Sequence, residues 1–236
     1  RALYRRAMPG LIEVQVDALP PERFEAVLDD EQWLRLATAN ARARDVFEGR
    51  RIINVNSTAA GGGVAEMLQS LVAYGCGAGV DARWYVIEGT PEFFALTKRL
   101  HHHLHGSDGD AGQLGAAERH LYESVTAANL EELSRDVQAG DLVLLHDPQT
   151  AGLAAGLREL GAHVVWRSHI GIDEPNDAVR AAWSFLLPYV EGAEAFIFTR
   201  RAYVPPELLD RDVTIIPPSI DVFSQKNNDL SPERVD

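Results

Sequence analysis

One cysteine, two methionines, and 22 basic side chains against 35 acidic ones are the scarcities that first bound this chain of 236 residues. Cys76 stands alone, so no internal disulfide can form, and a reducing, cytoplasmic setting is expected. A formal net charge of −13 leaves too little positive surface to track nucleic acid or an anionic lipid layer, although a local basic pocket is still allowed. No apolar run approaches the roughly 20 residues that a bilayer span needs. The opening Arg1-Ala2-Leu3-Tyr4-Arg5-Arg6 lacks an apolar signal core. Neither a nucleic-acid nor a membrane partner is expected. No serine sits between glycines two residues to either side, which removes the nucleophile elbow of one hydrolase class. The dinucleotide fingerprint is missing too: Gly61, Gly62 and Gly63 are contiguous and the next glycine is Gly75, so an oxidoreductase is the weakest of the rival readings.

What is present is a globular composition, 46 % hydrophobic, organised around the stretch from Arg51 to Glu66. There an apolar run, Ile52-Ile53-Asn54-Val55-Asn56, breaks into the glycine triplet and resumes with helical character. A strand, a loop and a helix N-terminus are predicted. Glycines allow positive φ and a close approach of backbone to ligand, while the first helical turn offers unpaired N–H groups and the positive end of the helix dipole. A phosphate, or a sugar bearing phosphate, suits such a place. A tight strand-to-helix connection that binds nothing accounts for the glycines equally well.

Before Arg51 the sequence reads as an extension, residues 1–50, with an apolar alternation from Leu11 to Val16 and a helical periodicity after Pro20-Pro21. Phe24, Val27, Leu28, Trp33, Leu34 and Leu36 are expected to form its apolar face. From Arg51 onward short β runs alternate with helical segments. Strands are predicted at Ile52 to Asn56, Ala82 to Ile87, Asp141 to Asp147, His163 to His169, Ala195 to Thr199 and Val213 to Ile216. Helices are predicted at Val64 to Tyr74, Pro91 to His105, Ala116 to Val137, Thr150 to Leu160 and Asp177 to Val190. The fold class is α/β: a Rossmann-like, doubly wound, mainly parallel sheet with helices on both faces.

Ligands of such sheets gather beyond the carboxyl ends of the strands where strand order reverses. Three strand ends carry polar residues or glycines that a core does not need: Asn56 to Gly63, His146-Asp147, and Arg167-Ser168-His169. One such end is ordinary capping chemistry, and either histidine could serve only to satisfy a backbone carbonyl. Three ends together favour a binding crevice. His101 and His105 share a helical face, but no carboxylate or cysteine with metal-ligand spacing accompanies them, and no metal site is assigned. Lys98, Arg167 and His146 are candidate cleft-lining residues.

Taken together, several separated motifs resemble the trehalose synthases of the glycosyltransferring type. They are Asn56-Ser57-Thr58 with Gly61-Gly62-Gly63-Val64-Ala65-Glu66, Trp84 with Val86-Ile87-Glu88-Gly89, Phe93-Phe94 with Thr97-Lys98, His146-Asp147-Pro148-Gln149, Trp166-Arg167-Ser168-His169, and Ile216-Pro217-Pro218-Ser219-Ile220-Asp221. The retaining trehalose phosphorylases share much of this pattern. The resemblance implies the N-terminal half of a GT-B fold, in which two Rossmann-like domains face one cleft. It implies a donor-phosphate role for Gly61, Gly62 and Gly63, a catalytic contact of His169 with the donor sugar, and an acceptor-binding role for Asp147 with Asn56, Glu88 and Gln149. Substrates would be glucose and UDP- or ADP-glucose, with no cofactor, and transfer would retain the α configuration. Val222 stands where the exit motif is usually followed by proline, and Ala202 where an acidic residue is common; both departures concern the domain exit.

On this reading residues 51–218 form the acceptor-side domain and residues 219–236 an exit linker toward a donor-binding domain that the chain lacks. The fragment alone is expected to be inactive, and a homo-oligomer is compatible with it. A phosphorylase, or a non-catalytic sugar- or nucleotide-binding module, are the alternatives.

Overall fold

A computed structural model describes residues 3–8, by their backbone alone, and residues 11–224. It contains the strands β1 (Leu3–Met8), β2 (Leu11–Gln15), β3 (Arg51–Asn56), β4 (Asp81–Ile87), β5 (Leu142–His146), β6 (His163–Ser168), β7 (Ala195–Phe198) and β8 (Val213–Ile215). The α-helices are α1 (Asp30–Val46), α2 (Gly63–Gly77), α3 (Pro91–Leu104), α4 (Ala116–Leu133), α5 (Ala154–Glu159) and α6 (Asp177–Val190). One eight-stranded sheet runs in the order β1-β2-β4-β3-β5-β6-β7-β8. From β4 to β8 every neighbouring pair is parallel, whereas β1 with β2 and β2 with β4 are antiparallel. The doubly wound, mainly parallel α/β class expected from the alternation of elements is the one observed.

Each element follows from local chemistry. In β3, Ile53 and Val55 are fully buried on one face while Asn54 and Asn56 are buried on the other, so both faces of the strand are covered. Pro91 opens α3 at its first turn, where a missing N–H costs nothing, and the Thr90 side chain accepts from the Phe93 N–H at 3.2 Å. Phe93, Leu96, Leu100 and Leu104 then recur at the helical period and are buried. Asn176 caps α6 in the same manner, accepting from the Val179 N–H. The last turn of α6 carries Pro188.

The helices divide unequally between the two faces. Ala65, Leu68 and Val72 of α2 pack with Val14, Trp84 and Val86 in a small core on one side. Buried side chains of α3, α4, α5 and α6 join Ile53, Val55, Val143, Leu145, Trp166 and Phe198 in the larger core on the other. That asymmetry is what right-handed crossovers produce when the chain runs outward from β3 to β4, then doubles back to β5 and continues in one direction. Strand order therefore reverses between β3 and β5, which pair directly from Ile52 with Leu142 to Val55 with Leu145.

Residues before Arg51 add β1 and β2 to the sheet edge and supply α1, whose Arg44 donates to the Ala78 carbonyl after α2 at 3.0 Å. The single apolar stripe expected from Phe24 to Leu36 does not form. A 3-10 turn over Pro21–Ala26 precedes α1, and a capping box between Asp29 and Gln32 restarts the helical register. Val27 and Leu34 are left 53 % and 66 % exposed, and α1 has no fully buried residue. Likewise the helix predicted from Thr150 begins instead as a 3-10 turn over Pro148–Leu153. Cys76 is half-buried near the end of α2 and donates to the Ala82 carbonyl. Of the exit segment, residues 225–236 lie outside the described residues; Ser224 is its last described position. Among the described residues no helix is long and apolar enough to cross a membrane.

Candidate active site

The carboxyl ends of β3, β4, β5 and β6 lie side by side, and they carry the chemistry. After β3 the chain turns through Gly61 and Gly62 at φ of 77° and 92° and enters α2 at Gly63. A Cβ on any of the three would meet no atom within 4 Å, so the glycines are needed for backbone conformation and access rather than for packing. Gly62 is the N-cap and supplies no side-chain acceptor, which leaves the first N–H groups of α2 open. Asn56 braces the loop from below. Its amide nitrogen donates to the Thr58 carbonyl at 2.8 Å, and its oxygen accepts from the Trp84 indole at 2.8 Å.

Beside this loop an open crevice of about 470 Å³ is lined by Ser57, Thr58, Ala60, Glu88, Gly89 and Phe94, among others. Glu88 reaches it from the end of β4, where its backbone N–H and carbonyl are both held by the Asn129 side chain. Lys98 lies exposed on α3, one turn beyond Phe94. On the same helix the rings of His101 and His105 stand 4.8 Å apart. Among the described residues no group of three or more His, Cys, Asp or Glu side chains could hold a metal ion.

The other cluster belongs to β5 and β6. Asp147 follows β5 with φ 63° and ψ 179°, a conformation that is strained for a residue bearing a Cβ and the more unusual before Pro148. Its surroundings hold it there. The Asp147 N–H donates to the Arg167 carbonyl at 2.9 Å, and its own carbonyl accepts from the Trp166 indole at 3.1 Å. Its carboxylate accepts from the backbone N–H of His169 at 2.8 Å. Burial pushes the carboxyl up to about 7, against the pull of that N–H and of the Arg167 charge. Arg167 is 8 % exposed, and its buried Nε has no hydrogen-bond partner among the described residues. Burial lowers its pKa, while Asp147 acts in the opposite sense.

His146 and His169 are joined by their rings, with His146 Nδ1 3.0 Å from His169 Nε2. Burial first, then the neighbouring Arg167, depresses His169 to about 4. Burial, His169 and Arg167 hold His146 well below its ordinary value. Both imidazoles are therefore neutral at pH 7. Gln149 sits half-buried in the 3-10 turn after Asp147. That turn is pinned by the Thr150 hydroxyl on the His146 carbonyl and by the Gly152 N–H on the Tyr122 hydroxyl.

Thus His146, Asp147, Arg167 and His169 form one cluster, and Ser57 to Ala60, just ahead of the glycines, border the crevice with Glu88 and Phe94. One member escaped the sequence reading. Asn54 is buried, and its oxygen lies 3.1 Å from His146 Nε2. The signal available was a polar residue inside an apolar strand, two residues before Asn56 and therefore on the same face.

A doubly wound, mainly parallel sheet with helices on both faces and a glycine loop at a helix N-terminus belongs to the Rossmann-like class. Comparison with known proteins narrows this. The family described as trehalose synthase, N-terminal domain, matches residues 54–205, and the chain belongs to that family. It is similar to trehalose synthase of Pyrococcus horikoshii, 38 % identical over 209 residues that cover 89 % of this chain and 48 % of that protein. The trehalose synthase of Rubrobacter xylanophilus is 37 % identical over 88 % of the chain and 48 % of its own length. A trehalose phosphorylase of Pleurotus sajor-caju is more distant, at 29 % identity over 75 % of the chain and 25 % of that protein. The chain thus spans about half the length of the synthases it matches. Among solved structures, an α,α-trehalose-phosphate synthase from Burkholderia vietnamiensis superposes with a TM-score of 0.49 at 19 % identity, over 65 % of this chain and 41 % of that one.

Proposed function

We propose that this chain is the acceptor-side domain of a retaining glycosyltransferase that makes trehalose from a nucleoside-diphosphate glucose and glucose. The observation that carries the reading is the join between Asp147 and His169: a carboxylate and a residue bearing a neutral imidazole, from adjacent strand ends, locked together by the 2.8 Å bond from the His169 backbone N–H to the carboxylate. Next to them the glycine loop leaves the N-terminus of α2 open to a diphosphate. In this scheme Asp147 accepts hydrogen bonds from hydroxyls of the acceptor glucose, with Glu88, Gln149 and Asn56 around it. His169 contacts the donor sugar near the reacting carbon.

The reaction moves the glucosyl group from the leaving phosphate oxygen to an acceptor hydroxyl through an oxocarbenium-like transition state. The departing phosphate takes the acceptor proton. Side chains contribute positioning and electrostatic stabilisation, which is why a carboxyl near neutrality and an uncharged imidazole suit the site: neither needs a large reorganisation of charge as the bond breaks. On this reading the residues that hold the nucleotide lie in the half of the synthases that this chain does not match, and the matched half alone is expected to be inactive.

The test uses the product of the complete gene, supplied with glucose and either UDP- or ADP-glucose, or with glucose and α-glucose 1-phosphate, and scored for trehalose. Trehalose from a nucleotide donor supports the transferase and names the nucleotide. Trehalose from the sugar phosphate alone makes the protein a phosphorylase, and no trehalose from any donor refutes the assignment.

A further inference from the structure

Three side chains on three neighbouring strand ends form a chain of hydrogen bonds whose direction can be deduced. The Asn54 amide nitrogen faces the carbonyl of Arg83 at 3.4 Å, and its oxygen faces His146 Nε2 at 3.1 Å. The opposite amide orientation would set oxygen against carbonyl oxygen. Asn54 therefore presents an acceptor to His146, which must carry its proton on Nε2. The other nitrogen of a neutral His146 is then a lone pair, and His169 Nε2, 3.0 Å away, must be the donor. With its proton on Nε2, a neutral His169 keeps a lone pair on Nδ1. No described residue bonds that nitrogen, and it is not one of the sealed, unpartnered atoms of the core.

We infer that Asn54 and His146 are positioning residues that fix His169 as the Nε2–H tautomer, so that its Nδ1 meets a bound substrate as a hydrogen-bond acceptor for a hydroxyl group. That the hydroxyl belongs to a sugar rests on the function proposed above; the tautomer does not. The logic parallels the buried carboxylate that sets the imidazole tautomer in a hydrolase triad, with a neutral amide and a second imidazole in its place. Neutral partners suit the position. A carboxylate opposite His146 would draw a second proton onto that ring, turn its Nδ1 into a donor, and force His169 to present N–H where it now presents a lone pair.

Nitrogen NMR of the histidine rings in the isotope-labelled chain at pH 7, without any sugar, tests the tautomer directly. Signals of His169 are identified by their loss in His169→Gln. The expected spectrum has a protonated, pyrrole-type Nε2 and an unprotonated, pyridine-type Nδ1 for His169, and the same pattern for His146. A protonated Nδ1 on His169, or a ring that averages both forms, overturns the inference. In Asn54→Leu, where the acceptor for His146 is gone, His169 is expected to lose its single tautomer; an unchanged His169 pattern in the folded variant overturns the relay. In the complete enzyme the same substitution is expected to lower kcat about 10- to 100-fold, as loss of the partners that orient metal-bound histidines does, with a smaller change in KM. If the spectra are as expected and no trehalose forms from any donor, the relay stands and the proposed reaction falls.

Discussion

Replacement of Asp147 by asparagine is expected to stabilise the fold, and to do so increasingly as the pH rises. The folded carboxyl titrates near 7, against 3.8 for an unperturbed aspartate. Between those values the folded state holds a proton that the unfolded chain has released, so the usual sign for a carboxylate is reversed. The stability that depends on Asp147 is greatest below about pH 4, declines as the pH rises, and is fully lost above about pH 7. The gap between 3.8 and about 7 corresponds to a ceiling of about 4 kcal/mol. Asp147 is only half-buried, and solvation of its open edge brings the expected gain at pH 8 to about 2 kcal/mol. Asparagine keeps an oxygen to accept the His169 N–H and is one of the residues that best tolerates positive φ, so the exchange isolates the charge. Urea unfolding of both proteins at pH 4.5, 6 and 8 supplies the measurement, each compared at equal m-value. The difference in stability should widen with pH. A difference that is flat across the range, or an asparagine variant that is the less stable one at pH 8, refutes the argument that burial raises this carboxyl.

Gly62→Ala places a Cβ at φ 92° and ψ 155° with no atom within 4 Å of it, so its cost is backbone strain alone; a loss of about 1–3 kcal/mol is expected in thermal unfolding, together with weaker binding of the donor by the complete enzyme. Asp141 ties the start of β3 to the start of β5: its carboxylate accepts from the Arg51 backbone N–H at 3.1 Å, the Arg51 Nε at 3.2 Å and the Gln138 N–H at 2.8 Å. Burial raises this carboxyl, but these partners together outweigh burial and hold it below its ordinary value. Its stabilising contribution is therefore present above about pH 4 and lost as the pH falls through the depressed folded value. Asp141→Asn should cost about 3 kcal/mol in urea unfolding at pH 7, with the gap to wild type closing in acid.

Much of the architecture is written locally. Short apolar runs, separated by glycines and caps, name the parallel strands from β3 onward, and the repeat of Phe93, Leu96, Leu100 and Leu104 names α3. The polar ends of β5 and β6 and the glycines after β3 are equally visible, because a buried strand that stops in His-Asp or Arg-Ser-His departs from its own pattern. The extension was harder. Its periodicity was apparent, but the capping box at Asp29 that resets the register depends on how the Asp29 and Gln32 side chains fold back, and the apolar count over Phe24 to Leu36 does not report it.

By itself, then, the sequence determined the alternation of strands and helices, the place of the glycine loop, and the strand ends where polar groups would gather. These are properties of neighbouring residues, whose side-chain spacing and backbone preferences act over one turn or one strand. Only the tertiary structure decided that Asn54 meets His146 across 92 positions of chain, that Asp147 is held at φ 63° between β5 and β6, and that the Asp221 side chain of the exit segment returns to accept from Ser70 of α2 at 3.0 Å. Such contacts are fixed by strand order and register. Those follow from how the two apolar cores close over the whole sheet, a cooperative outcome that no short window of residues contains.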